Sequence, residues 1–382
     1  MRTLIISDLH LGSITGADVL RHAEVREPLL AMLARADRLV LLGDTLELRH
    51  GPPRDAMAAA RPFFEDLGRV LAGRELLIVA GNHDHALVEP WLERRGLEAP
   101  PPHLQVEQLL EPAEASPMLE QLAEWASPAR VGAGYPGVWV RPDVYATHGH
   151  YLDCHLTVPT LERLSMGVMS RVLGRPAGEF AGVDDYEAVE APAFAWRDAV
   201  ARTGPTGRML NGATTDGAWR TLRGDARRRG AGVAARLRRR ALMASFAIAV
   251  AALNRAGLGP LHSNISGREL RRAGLRAMAE VAARLDLGDA YVVFGHTHRP
   301  GPLPGDEPGE WRPFSTAATP GAGARLVNTG SWSYARVFLT ATPGESPYWP
   351  GTCVLVDDDG PPMVRRLLLD RTRDEIKPTR PA

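Results

Sequence analysis

Residues that could bind metal ions occur together in five short segments of the sequence. Neutral imidazole is the commonest metal ligand in proteins, and carboxylate or amide oxygens complete many such sites. The segments are Asp8-Leu9-His10, Gly43-Asp44-x-x-Glu47, Gly81-Asn82-His83-Asp84-His85, His148-Gly149-His150 and Gly295-His296-x-His298. A single His-x-His pair would be weak evidence, but seven of the twelve histidines lie in these segments. Their recurrence predicts one shared metal site.

Each of the five segments directly follows, or ends, an apolar run that predicts a buried β-strand. The runs are residues 3–7, 38–42, 75–80, 143–147 and 290–294. Helical spacing over residues 18–36 and 54–73 separates the first three runs, which is the βαβ pattern of an α/β domain. Ligands of such sheets gather beyond the carboxyl ends of the strands. We therefore expect the five segments to converge.

The five segments, taken in order, resemble the motifs of the calcineurin-like metallophosphoesterases. The resemblance covers residues 3–150 and 290–332, about half of the chain. Within that superfamily, Gly295-His-Thr-His-Arg-Pro300 and Asn328-Thr-Gly-Ser-Trp332 are similar to the UDP-2,3-diacylglucosamine diphosphatase-like branch. That branch has arginine after the motif asparagine, where this chain has His83. The resemblance therefore does not extend to a substrate.

The resemblance also implies a fold, an α/β four-layer α/β/β/α sandwich of two mixed sheets with helices outside. Between His150 and residue 290, helical spacing without clear strands predicts a large helical insertion, or cap, over the strand ends. We expect residues 1–155 and 286–370 to form the core and residues 156–285 the insertion. Residues 371–382 form a polar C-terminal tail in this interpretation.

A centre of two divalent transition metal ions follows from the resemblance. The implied ligands are Asp8, His10 and His298 for one ion, Asn82, His148 and His296 for the other, and Asp44 bridging both. His83 would not bind metal in this scheme. It would contact the substrate phosphate or protonate the leaving oxygen, and Asp84 would orient it.

The chemistry of this ligand set favours a phosphoester hydrolase. Mixed oxygen and imidazole ligands suit manganese, our first choice, or iron, zinc or cobalt rather than calcium. Two such ions activate water and stabilise both the attacking and the leaving oxygen. We expect cleavage of a phosphodiester or pyrophosphate bond, with a hydroxide between the metals as nucleophile. The alternatives are a phosphomonoesterase, including a protein phosphatase, and an inactive scaffold, which should have lost ligand positions.

Composition restricts the partners and the location of the protein. The net charge of the 382 residues is zero, so nothing global favours nucleic acid or a membrane surface. The longest apolar stretch, residues 241–253, is shorter than the roughly 20 residues of a membrane span. The N-terminal apolar run meets Asp8 and is too short for a signal peptide. We expect a cytoplasmic protein.

An arginine-rich segment lies in the predicted insertion. Residues 219–255 contain ten arginines and one acidic residue, and arginine recognises phosphate groups well. A small phosphoester, with a nucleotide- or lipid-linked one as an option, would suit an apolar insertion with arginines. Aromatic residues for base stacking are sparse there, which argues against nucleic acid. Peripheral membrane contact and the oligomeric state stay open.

Overall fold

The computed structural model describes residues 1–202, 233–315, 323–334 and 342–376, together with Leu339. The strands are β1 Thr3–Ile6, β2 Arg38–Leu42, β3 Glu75–Val79, β4 Glu107–Leu110, β5 Arg130–Arg141, β6 Val144–Thr147, β7 Tyr291–Phe294, β8 Arg325–Asn328, β9 Thr352–Val356 and β10 Met363–Arg366. The α-helices are α1 Ala23–Leu33, α2 Pro53–Val70, α3 Glu89–Gly96, α4 Pro112–Ala115, α5 Pro117–Trp125, α6 Leu161–Leu173, α7 Val183–Arg202, α8 Val233–Arg255 and α9 Gly267–Arg284. Each of the five apolar runs that precede the metal-type segments is a strand.

The strands form one mixed sheet, so the expectation of two separate sheets is wrong. Its order is β10-β9-β1-β2-β3-β5-β6-β7-β8, and β4 pairs with β5 off this path. Strands β1, β2 and β3 are parallel to one another, as are β6, β7 and β8. Strands β9 and β10 form an antiparallel hairpin.

Strand β5 is the reason that the sheet is continuous. It has 12 residues, and its first part pairs in parallel with β3 while its second part pairs antiparallel with β6. One strand therefore joins the two halves that the resemblance implied as separate sheets. The joined sheet curves until it is nearly closed, in the manner of a barrel.

Alternating side chains divide the strands between an inner core and two outer cores. In β1, Ile5 belongs to an inner cluster, whereas Leu4 and Ile6 belong to an outer one. The same alternation in β7 turns Val293 inward and Val292 outward. Because successive strand residues point to opposite faces, a strand buried on both faces must be apolar throughout. This explains the unbroken apolar runs of the sequence.

Helices cover both outer faces of the curved sheet. Helices α1, α2 and α5 pack on the half that contains β1, β2 and β3. Helices α6, α7 and α9 pack on the half that contains β6, β7 and β8. In the described parts of residues 156–285, the regular elements are helical, as expected for the insertion. The domain boundaries themselves remain a prediction.

Several expectations fall partly or wholly on undescribed residues. Residues 203–232, which carry part of the arginine-rich segment, lie outside the described residues, as do residues 377–382 of the expected tail. In the described part of that tail, Ile376 is buried. No described helix has the length and apolar character needed to cross a bilayer. Cys154 and Cys353 are both buried and free.

Candidate metal centre

The five metal-type segments meet at one edge of the sheet, where their strands end. Backbone hydrogen bonds fix the segments to one another. Asp8 N–H donates to Gly43 O at 3.1 Å, and His10 N–H donates to Asp44 O at 2.8 Å. Gly295 N–H donates to His148 O at 2.9 Å. The convergence expected from the strand ends is therefore present in both halves of the sheet.

Left-handed backbone is concentrated at this edge. Six non-glycine residues in the described chain have positive φ, and five of them are expected ligands: Asp8 (55°), His10 (48°), Asp44 (51°), His296 (63°) and His298 (58°). Such backbone costs roughly 1–3 kcal/mol per residue and persists only where surrounding contacts enforce it. Its concentration at expected ligands is typical of a functional site.

The first group of donor atoms surrounds Asp8, His10 and His298. His10 Nε2 lies 3.3 Å from His298 Nε2 and 3.7 Å from Asp44 Oδ2. His298 Nε2 lies 3.1 Å from Asp8 Oδ1. His10 Nδ1–H donates to Glu47 Oε2 at 3.0 Å, which leaves Nε2 with a lone pair. That lone pair faces the lone pairs of His298 Nε2 and Asp44 Oδ2. A cation placed between these atoms could be bound by all three.

The second group surrounds Asn82, His148 and His296. Asn82 Oδ1 lies 3.1 Å from both His148 Nε2 and His296 Nδ1. His148 Nδ1–H donates to Leu42 O at 3.0 Å, and His296 Nε2 lies 2.9 Å from an oxygen of Asp153. His148 Nε2 also lies 3.3 Å from Asp44 Oδ2. In the neutral form of each ring, the nitrogen that faces the group carries a lone pair.

These donor sets have the chemistry of a metal-binding site. Metal-binding histidines usually donate their other N–H to a carboxylate or a carbonyl, as His10, His148 and His296 do here. Asp8 Oδ1 is buried without a hydrogen-bond partner, although His298 Nε2 is near. The groupings Asp8–His10–His298 and Asp44–His148–His296 each hold three candidate ligand atoms within 4.8 Å of one another.

The electrostatic field of the centre favours positive charge. Burial by itself would lower the pKa of His148, but Asp44 raises it to about 10. Burial opposes the charged form of His10 as well, and Glu47 and Asp44 nevertheless raise its pKa to about 9. The histidines around Asp44 in turn hold its pKa well below the ordinary value, against the effect of burial. A site that retains protons this strongly would also attract a divalent cation.

His83 lies beside the donor groups, and one of its ring nitrogens lies within 4.8 Å of ligand atoms of His10 and Asp44. Its ring Nδ1 is 2.9 Å from both oxygens of Glu47, and its backbone N–H donates to Asp44 Oδ1 at 2.8 Å. About a quarter of the side chain, 24%, is exposed, and it lines a cavity. An accessible imidazole beside the donor groups can exchange a proton with a bound molecule.

Asp84 does not contact His83 as the sequence led us to expect. Its carboxylate accepts backbone N–H groups from Gly81, Asp44, Thr45 and Leu46 at 2.7–3.2 Å. Asp84 therefore shapes the loop that carries Asp44. The carboxylate that contacts the His83 ring is that of Glu47. The carboxylate of Asp84 instead points into the protein, toward the backbone of the Asp44 loop.

Two residues of the site were not assigned a role from the sequence. Glu47 was visible in the Gly43-Asp44-x-x-Glu47 motif, and this spacing was the available signal. Asp153 had no comparable signal. It reaches His296 through a short 3₁₀ helix, His150–Cys154, that follows the His148 segment.

A second buried polar layer lies behind the donor groups. His150 packs against the His148 ring at 5.6 Å, and its Nε2 is 3.7 Å from Glu190 of α7. His85 Nε2 lies 3.4 Å from Glu187, one turn earlier on the same helix. His85 and His150 thus support the site from behind and face helix α7.

A cavity of about 230 Å³ opens beside the donor groups. Asp44, Asn82, His83, His296 and His298 form its polar end. The remaining wall comes from the His150–Cys154 segment, the start of α6, helix α9 and the loop after β7. A bound molecule could therefore contact the centre and the helical insertion at once.

Comparison with known proteins identified no relative of this chain. No family model matches the chain, and no curated protein matches it. The case for the site consequently depends on its own residues and their geometry.

Proposed function

We propose that this protein is a hydrolase of phosphodiester or pyrophosphate bonds with a centre of two divalent transition metal ions. Manganese is our first choice, with iron, zinc or cobalt as alternatives. The main support is Asp44 Oδ2, which lies between the two donor groups, 3.7 Å from His10 Nε2 and 3.3 Å from His148 Nε2. When bound, two such ions supply an activated water and positive charge against phosphate oxygens.

The residues of the chain have separate tasks in this proposal. Asp8, His10 and His298 would hold one ion, Asn82, His148 and His296 would hold the other, and Asp44 would contribute to both sites. Glu47 accepts the Nδ1–H of His83 and so fixes its ring. Burial lowers the pKa of His83 to about 4, so to act as general acid the ring would first have to gain a second proton, on Nε2, which it would then pass to the leaving oxygen.

The proposed domain division agrees with the lining of the cavity. Residues 1–155 and 286–370 would form the core that carries the metal ligands. Residues 156–285 would form the cap, whose Thr160, Leu270 and Leu275 face the same cavity as His83. The substrate would then be held between core and cap.

The test is to measure metal content and hydrolysis in parallel for two variants of the manganese-loaded protein. Asp44→Asn should lose metal and reduce turnover by more than about a hundredfold, because even residues behind the ligands typically contribute 10–100-fold. His83→Ala should keep the metal and lose turnover. The matched control is Asp55→Asn, which changes an aspartate of α2 whose side chain is 66% exposed.

The substrate panel should contain a generic phosphomonoester, a generic phosphodiester and a nucleotide-diphosphate sugar. Preference for the diester or the pyrophosphate supports the proposal, whereas preference for the monoester would favour a phosphatase. Equal loss of metal in Asp44→Asn and His83→Ala would contradict the division of roles. A folded protein that holds no metal and hydrolyses none of the panel would contradict the proposal as a whole.

A further inference from the structure

The wall of the cavity changes character away from the donor groups. Beyond His83 and His296 it is largely apolar, and its main contributors are Leu152, Leu156, Leu270, Leu275, Phe294 and Trp311. Apolar walls favour apolar ligand groups, because burial removes both surfaces from water. The cavity is therefore a recognition site for something other than the phosphate itself.

In the described chain, both arginines of the cavity wall are paired with carboxylates, although Nε of Arg271 is buried without a hydrogen-bond partner. Arg299 donates from both terminal nitrogens to Asp306 at 2.6 Å, and its guanidinium lies 5.7 Å from the Trp311 ring centre. Arg271 forms ion pairs with Asp306 and Glu310. A guanidinium held by carboxylates has little positive field left for a second anion.

A second phosphate group would therefore find no cationic subsite among the described lining residues. Glu162, at the start of α6, adds a carboxylate to the same wall. Of the bond types that the proposed function covers, the cavity is thus least suited to the pyrophosphate of a nucleotide-linked substrate. It is better suited to one phosphate at the centre with an apolar group attached.

We propose that the substrate is a phosphoester whose ester group is compact and apolar, about the size of one aromatic ring or a short branched chain. The volume of about 230 Å³ supports this size, since an apolar cavity of roughly 150 Å³ suffices for benzene. The inference rests on the proposed function. Hydrolysis breaks the P–O bond to the ester group: the phosphorus gains the hydroxide of water, and the ester oxygen gains a proton and leaves as the alcohol. No other reactant is needed.

Gly274 of helix α9 allows the size of the cavity to be changed without touching a donor group. It lines the cavity, and a Cβ at this position would meet Thr297 Cγ2 at 3.5 Å, an ordinary contact. Larger side chains here would occupy space that the ester group needs. Gly274→Val is therefore the filling variant, and Gly274→Ala is its smaller matched control.

The experiment measures binding of two non-hydrolysable probes, phenylphosphonate and methylphosphonate, to the manganese-loaded protein by calorimetry. Phenylphosphonate should bind at least about tenfold more tightly, because it buries more apolar area. Its binding should also show the more negative heat-capacity change. In Gly274→Val the affinity ratio of the two probes should shrink to less than about threefold, with Gly274→Ala between the two proteins.

The outcomes separate this inference from the function on which it rests. Equal affinity for the two phosphonates, or tighter binding of methylphosphonate, would overturn the apolar ester group and leave the phosphoesterase intact. An unchanged ratio of the two affinities in Gly274→Val would show that the ester group does not bind in this cavity, and this result would also overturn the inference. Failure of both probes to bind a manganese-loaded protein, together with no hydrolysis of any compound in the substrate panel, would contradict the proposed function itself.

Discussion

His10, His148 and His296 each use one ring nitrogen on a partner outside the donor groups. The partners are Glu47 for His10, Leu42 O for His148 and Asp153 for His296. Each bond fixes the position of the N–H, so the other nitrogen presents a lone pair to the centre. The same hydrogen-bonding arrangement at three separate histidines is the strongest argument for metal binding.

Glu47 should matter for both metal binding and turnover, because one carboxylate serves His10 and His83. Glu47→Gln keeps the shape of the side chain but removes its charge and one of the two acceptors. We expect the affinity for manganese to fall about 10–100-fold, and turnover at saturating metal to fall as well. Chelator competition measures the first quantity, and steady-state kinetics measures the second.

The control for Glu47 is Glu65→Gln, which changes an exposed glutamate of α2 paired with Arg61. It should leave both quantities as in the wild type. A Glu47→Gln protein with wild-type manganese affinity would show that His10 does not need the carboxylate, and the assignment of Glu47 as a positioning residue would fail.

What the sequence could predict at this scale depended on the type of signal. Residues such as Asp44 and His298 were predictable because metal-type side chains recur just after apolar runs. The role of Glu47 was not predictable, because it depends on which imidazole rings its carboxylate contacts in the folded chain. The error at Asp84 has the same origin: adjacency to His83 in sequence suggested a contact that the loop geometry does not make.

At the scale of elements, the strands were the most predictable feature. Runs such as residues 38–42 are apolar throughout because both faces of their strands are buried. The first half of β5 has no strand pattern in the sequence, since Gly132, Gly134 and Pro136 give it the composition of a loop. The same strand joins the two halves of the sheet, which the resemblance had implied as two separate sheets.

Close backbone contact at the strand ends makes Gly43 sensitive to substitution. Its φ is +81°, and a Cβ there would lie 2.4 Å from the His148 ring. Gly43→Ala should lose roughly 1–2 kcal/mol of folding free energy through backbone strain, and the methyl group must displace His148. We expect turnover to fall more than about tenfold with lower metal content, because small misplacements near the chemistry are costly.

Gly73 is the matched control for Gly43. Its φ is +70°, but a Cβ at this position would have no heavy atom within 4 Å, so Gly73→Ala should carry the backbone strain alone. Urea unfolding should show a loss of roughly 1–2 kcal/mol in Gly73→Ala and a larger loss in Gly43→Ala, and only Gly43→Ala should lose metal and turnover. Equal effects on metal content in the two proteins would mean that contact with His148 is irrelevant.

At the scale of the whole molecule, the donor groups connect the two halves of the curved sheet. Asp8, His10, Asp44 and Asn82 follow β1, β2 and β3, whereas His148, His296 and His298 follow β6 and β7. Each group takes members from both halves. The continuous sheet could not be foreseen from motifs, but it explains how residues 288 positions apart, His10 and His298, stay 3.3 Å apart.

Metal binding should therefore stabilise the fold as a whole, because the ligand atoms come together only when both halves are in place. A ligand at 100 times its Kd adds about 2.7 kcal/mol to the unfolding free energy. For a chain of this size that corresponds to a rise in Tm of roughly 3–5 °C. We expect a chelator to lower the Tm of manganese-loaded wild type and of Asp55→Asn by this amount. It should change the Tm of Asp44→Asn far less, since that variant lacks the oxygen shared by the two groups. If the chelator removed the metal without changing the wild-type Tm, the metal would bind the folded and the unfolded chain equally well, and the donor groups described here would not be its site.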